Sequence, residues 1–223
     1  LFGLFLISIL FTFTSLFRSI TDVMMPKKNG YEVTEILKQD ERTSHIPIVM
    51  LTAKADQGAR IEGYKRGADA YLTKPFDQEE LRVRLEKLWE IRQTLQKRYQ
   101  GNTTPTPTED PAIQQEDAFI QKVRGLVMNN LDDTSYKVDA MLKDLGISRT
   151  NFHRKVKALT GKTPSHFIRS ISVHHAQQLL KQSPDMQISE VAYAVGFADP
   201  AYFGRVFHER TGTSPGEWRE KHK

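Results

Sequence analysis

A chain of 223 residues has room for two small domains, each able to bury a core. With 39% hydrophobic and 26% charged residues and no cysteine, its composition is ordinary for soluble globular protein. It excludes disulfides and thiolate metal sites, and a reducing cytoplasm is the simplest home. The formal charge of +5 is unevenly spread: Leu145 to Pro184 contains no Asp or Glu, yet holds Arg149, Arg154, Lys155, Lys157, Lys162, Arg169 and Lys181. Such an excess suits a polyanion or a solvated helix face, and charge alone does not separate the two.

In chain order, LFGLFLISILFTFTSLF comes first, uncharged for 17 residues, the short end of what spans a bilayer. It has no basic leader, which argues against a signal peptide. Either it is foreign or eroded sequence, or it anchors the protein in an inner membrane, with Arg18, Lys27 and Lys28 keeping the remainder in the cytoplasm. Residues 1–18 are therefore set apart. SITD then reads as a β-like run ending in the carboxylate of Asp22, with Pro26 and Gly30 shaping the loop behind it. GYEVTEILKQDE has helical spacing in Val33, Ile36 and Leu37, HIPIVMLTA is a buried strand, DQGARIEGYKRGA a weak helix and DAYLT a strand. DQEELRVRLEKLWEIRQTLQKRYQ is a long helix with Leu81, Leu85, Leu88, Leu95 and Tyr99 on one stripe. That stripe either pairs across a homodimer or packs on its own sheet; it is short for a coiled coil, and Arg92 interrupts it. The alternation predicts a parallel sheet covered by helices over residues 19–99. GNTTPTPTEDP then marks a linker, assigned to residues 100–115.

Residues 116–223 read as wholly helical and contain an internal repeat. ISRTNFHRKVKALTGKTPSHF superposes on FADPAYFGRVFHERTGTSPGEW with an offset of 51 residues, and VDAMLKDLGI on ISEVAYAVGF with an offset of 50. Each copy is helix, glycine turn, helix: Gly146 and Gly196 supply the turn, Ser148 and Asp199 the N-caps, and Pro200 a first helical position. A connecting helix from about Pro164 to Lys181 joins the copies. This is two helix-turn-helix units. Phe152, Val156 and Leu159 face the core of the first copy, and Phe203, Val206 and Phe207 that of the second. Thr150, His153, Arg154 and Lys157, and Ala201, Tyr202, Arg205 and His208, are left facing outward. Helices of this kind put their N-terminal residues against base edges in the major groove, about one turn of double-stranded DNA apart. Arg154 and Arg205 suit guanine, and Asn151 suits adenine or a phosphate. Lys155, Lys162 and Arg169 are better placed as backbone contacts, and Arg149 joins the DNA-binding set. Trp218 and Phe167 read as core anchors, and the adjacent His174 and His175 point apart, which disfavours a metal site.

From about Asp117 onward the chain resembles the AraC/XylS-type transcription regulators, most clearly in ISEVAYAVGFADPAYFGRVFHERTGTSPGEWR. The resemblance implies a DNA-binding unit with two helix-turn-helix motifs. Ser172-Val173 stand where members often carry Arg-Leu, so one phosphate contact is expected to be missing. The first half resembles a response-regulator receiver domain through TDVMMPKKNGYEV, IPIVMLTAKA and GADAYLTKPF. That resemblance implies Asp22 as phosphoacceptor, Thr52 and Lys74 as phosphoryl contacts, a Lys74-Pro75 bond open to the cis form, and Tyr71 as the switch aromatic. It also implies Mg²⁺, for which Asp22 and the Met24 carbonyl alone make a poor site, because none of the 21 residues before Asp22 is acidic. The expected fold is thus α/β, an incomplete flavodoxin-like receiver with a parallel sheet, followed by an all-α domain. The expected role is a two-component transcription regulator without enzymatic activity, partnered by a histidine kinase in cis or in trans. The rival readings are a phosphotransfer module or scaffold, and a membrane-tethered regulator.

Overall fold

The computed structural model describes residues 19–25, 27–53, 57–100, 105–131, 133, 136 and 138–222, which form two compact units dividing between Arg98 and Tyr99. The apolar run of residues 1–17 lies outside the described residues, among which no helix is long and apolar enough to cross a membrane.

The first unit is built on three parallel strands, β1 (Ser19–Asp22), β2 (Ile48–Thr52) and β3 (Ala70–Thr73), in spatial order β1-β2-β3. Asp22 lies opposite Leu51, and Thr52 opposite Thr73, so the polar ends of the strands line up at one edge. Side chains alternate across a strand, and both faces of this sheet are covered. Ile48, Met50 and Tyr71 meet Val23, Tyr31 and Leu37 on one side. On the other, Val49, Ala70 and Leu72 meet Leu81, Leu85 and Leu88 of the long helix α3 (Gln78–Gln100). The leucine stripe therefore packs on its own sheet, and the face offered for a homodimer is occupied through Leu88. Between the strands run α1 (Gly30–Gln39) and α2 (Gln57–Lys65). A reciprocal cap starts α1: Asn29 accepts from the Glu32 amide at 2.9 Å, and Glu32 accepts from the Asn29 amide at 3.2 Å. Gly30 is required there by close approach, since a Cβ would lie 2.5 Å from the Asp22 carbonyl oxygen.

The second unit is helical. Its first helix, α4 (Pro111–Asn129), starts ahead of residue 116, so residues 111–115 are helix and not linker. The acidic, proline-bearing end of the supposed linker is the start signal: Asp110 accepts from the Ala112 amide at 2.9 Å, with Pro111 in the first turn. Then follow α5 (Val138–Leu145), α6 (Arg149–Thr160), the connector α7 (Pro164–Gln182), α8 (Ile188–Ala194), α9 (Pro200–Thr211) and α10 (Pro215–Lys221).

The repeat holds atom by atom. In the turns, the Ile147 amide donates to Leu142 at 3.2 Å and the Phe197 amide to Ala192 at 2.9 Å, across Gly146 (φ 63°) and Gly196 (φ 84°). Gly196 is doubly constrained, because a Cβ would also lie 2.6 Å from the Leu131 carbonyl oxygen, whereas Gly146 faces open space. Helices α6 and α9 end alike. Thr160 and Thr211 donate to Val156 and Phe207 at 2.7 and 2.9 Å, and Gly161 and Gly212 follow in the left-handed conformation. Behind each, an N-cap and a proline start the next helix. Phe167 is fully buried, and the partly buried Trp218 packs against the second copy's core, its ring 6.3 Å from that of Phe207.

Candidate nucleic-acid interface and acceptor site

Helix α6 turns a cationic and polar face to solvent because its apolar residues recur at helical spacing. Phe152, Val156 and Leu159 are buried, while Thr150, His153, Arg154 and Lys157 are exposed and Asn151 is half-buried beside the Ser148 cap. On α9, Phe203, Val206 and Phe207 are buried, Ala201, Arg205 and His208 are exposed, and Tyr202 is half-buried. Arg149 is exposed but forms an ion pair with Asp139 of α5. Lys162 and Arg169 are half-buried; burial, with Arg210 and Arg124 nearby, pulls the Lys162 ammonium below its ordinary range. Ser172 is buried in a cavity of about 420 Å³ that Arg149 and Arg169 also line.

Lys155 corrects the sequence reading. It does not face a phosphate: its side chain is fully buried, with Nζ 2.9 Å from Glu116 of α4 and 4.4 Å from the Phe119 ring centroid. The approach to Glu116 is a close ion pair more than an aligned hydrogen bond. Burial on both sides is the reason, since a solvated phosphate cannot reach the ammonium and an internal acid and ring must hold it. The pairing joins residues 39 apart in sequence (155 − 116), a distance at which no local motif operates. Asp139, the partner of Arg149, was likewise invisible in the sequence.

In the first unit, the carboxylate of Asp22 projects from the end of β1 and ion-pairs with Lys74. It also accepts from the Met24 amide at 3.2 Å. The Lys74 hydrogen bond is the main cause holding the Asp22 carboxyl below the usual Asp range, with burial opposing it. The Lys74-Pro75 bond is cis, and the Lys74 amide donates to the Thr52 carbonyl at 2.6 Å, which ties the lysine to the end of β2. Thr52 is buried, and so is Tyr71, whose hydroxyl lies 3.5 Å from that of Tyr31. The side chain of Met24 is exposed.

A hard divalent cation asks for oxygen donors, usually including one or two carboxylates. The described residues bring no group of three or more His, Asp or Glu together, and the one carboxylate at the acceptor site is already matched by an ammonium. Among the described residues, those at this site do not fit Mg²⁺.

Comparison with known proteins covers both units. Residues 18–86 match the response regulator receiver domain, and residues 141–221 match a helix-turn-helix domain. Histidine kinase P4 of Formosa agariphila is 34% identical over 203 residues, which is 91% of this chain and 15% of that protein. The HTH-type transcriptional activator RhaR of Klebsiella pneumoniae is 32% identical over 114 residues, 51% of this chain and 40% of its own length. The DNA-binding dual master transcriptional regulator RpaA of Synechocystis is 49% identical over 67 residues, 30% of this chain and 28% of its own. The chain thus spans less than half the length of each of these relatives. Helix α4, which supplies Glu116 and Phe119, lies outside both matched segments.

Proposed function

We propose that this chain, a response regulator receiver domain followed by an AraC-type helix-turn-helix domain and so a two-component transcription regulator in make-up, reads double-stranded DNA with both helix-turn-helix copies. The observation that carries this is the repeat of caps, glycine turns and outward cations in the two copies. Thr150, Asn151, His153, Arg154 and Lys157 form the first reading face, and Ala201, Arg205 and His208 the second, with the half-buried Tyr202 beneath Arg205. Arg154 and Arg205 contact base edges, while Arg149, Lys162 and Arg169 sit beside phosphates and set register. In domain terms, residues 19–99 are the receiver, and the DNA-binding domain begins at Pro111, because α4 supplies an essential buried partner to α6.

The chain's role is binding, not catalysis, and its place is the cytoplasm. Asp22 takes the role of phosphoacceptor toward a histidine kinase in cis or in trans, with Lys74 beside the incoming group and Thr52 and Tyr71 behind it. With Lys74 the one cation paired with Asp22 among the described residues, acceptance is weak, and labelling from acetyl phosphate should be slight and vanish in Asp22→Asn. DNA reading is tested by selection from a random duplex pool with the full chain. Enrichment of one site, with log affinity falling linearly in log salt, supports the reading; an unenriched pool overturns it.

A further inference from the structure

Two arginines from different elements converge on one aromatic ring. The guanidinium carbon of Arg169, on the connector α7, lies 5.5 Å from the ring centroid of Tyr202, and that of Arg205, on α9, lies 5.6 Å from it. Arg205 stands three residues beyond Tyr202 on the same helix, so the two share a helix face. Arg169 is 33 residues upstream (202 − 169) and arrives only through the fold. The ring is itself anchored: it lies 6.0 Å from that of Phe197, which is buried directly after the Gly196 turn, and it packs against the core of Val206 and Phe207.

We propose that Tyr202 is a positioning residue of the DNA-reading surface, whose ring holds the connector arginine and the groove-reading arginine in one arrangement. This rests on the DNA-binding role argued above. The chemistry suits that task better than an acid would. Asp139 fixes Arg149 but cancels its charge and stands as an anion beside an incoming phosphate. An aromatic face attracts a guanidinium through its quadrupole and leaves the full positive charge for DNA. Arginine carries a rotamer-rich stem, and a ring that orders it beforehand removes part of the cost of ordering it on binding. Arg169 also lines one cavity with Arg149, at the start of the first recognition helix. The tyrosine thereby links the backbone contact between the two copies to base reading in the second.

The test uses the full chain and a duplex enriched from the random pool, comparing affinity for that duplex, affinity for unrelated DNA and the salt slope. Tyr202→Phe keeps the ring and should stay within about two-fold of the parent, whereas Tyr202→Leu should lose roughly ten-fold on the enriched duplex. The salt slope should be unchanged in Tyr202→Leu, because no charge is removed, while Arg169→Ala should reduce it by about one. In an Arg205→Ala background, Tyr202→Leu should cost less than in the parent, since only the Arg169 contact is left to lose. A merely structural tyrosine would instead lower affinity for all DNA alike and give additive losses with Arg205→Ala. Additive losses, or a Tyr202→Phe defect as large as that of Tyr202→Leu, overturn the proposal. If the parent enriches no duplex, DNA reading itself falls and this inference with it; if the parent enriches one and Tyr202→Leu matches it, only the inference falls.

Discussion

The two helix-turn-helix copies differ most tellingly where their sequences superpose at Lys155 and Val206. Both positions are buried on the core side of a recognition helix. In the second copy, Val206 joins Phe203 and Phe207 in an apolar cluster. In the first, a lysine occupies the place, held 2.9 Å from Glu116 and over the ring of Phe119. Helix geometry decides that the position is buried; what covers it decides which residue can stand there. The first copy is covered by α4, which brings an acid and a ring, and the second by α7, which brings the apolar Val173, Ala176 and Leu180.

That contrast can be broken first by truncating the lysine, ammonium and stem together. Lys155→Ala leaves Glu116 buried without its ammonium and should cost about 3–5 kcal/mol in urea unfolding of the second unit. Lys155→Met combined with Glu116→Leu should bring stability back to within about 1 kcal/mol of the parent, since a buried pair replaced by apolar volume is often neutral. Unchanged stability in Lys155→Ala would remove the distinction between the copies. The glycine turns sharpen the comparison next. Gly146→Ala meets only the left-handed backbone penalty, about 1–2 kcal/mol, whereas Gly196→Ala adds the clash with the Leu131 carbonyl and should approach about 3 kcal/mol. Equal costs by thermal or urea unfolding would show that Leu131 yields freely. On DNA the copies should behave alike: Arg154→Ala and Arg205→Ala should each lose about 1–3 kcal/mol on an enriched duplex, checked by titration, with Lys162→Ala weakening all sequences evenly.

The smallest effect belongs to the receiver unit. The Asp22 carboxyl is held below the usual Asp range chiefly by Lys74, so the pair contributes stability above the unfolded-state pKa and loses it as pH falls through the folded one. The window therefore lies at and below the ordinary Asp range, about pH 4. With Asp22 and Lys74 side chains 34% and 41% exposed, the contribution should stay under about 1 kcal/mol. Carboxyl carbon resonances should show Asp22 titrating at higher pH in Lys74→Ala; an unmoved titration would contradict the pairing.

Much of this architecture was legible because the physics is local. The caps at Ser148 and Asp199, the turn glycines and the apolar spacing of both recognition helices can be read residue by residue. The parallel strands were legible from a β-branched run lying between helical patterns. Lys155 was misread although the signal was present. It falls three residues after Phe152 on the buried stripe, and the repeat aligns it with a valine. Its charge points to a phosphate, and its periodicity to the core. The partners of Arg149, Lys155 and Arg169 were not legible, because Asp139, Glu116 and Tyr202 come to them from other helices. The start of α4 was missed for a different reason: composition labelled Pro111 as linker, while its position behind Asp110 made it a helix start.

The claim beneath all of this is that both copies touch DNA. Preferred sequences selected by the full chain, by Arg154→Ala and by Arg205→Ala test it most directly. The account predicts that each variant relaxes preference in a different half-site, the two separated by roughly 10 base pairs. Relaxation of the same positions by both variants, or by neither, would contradict it.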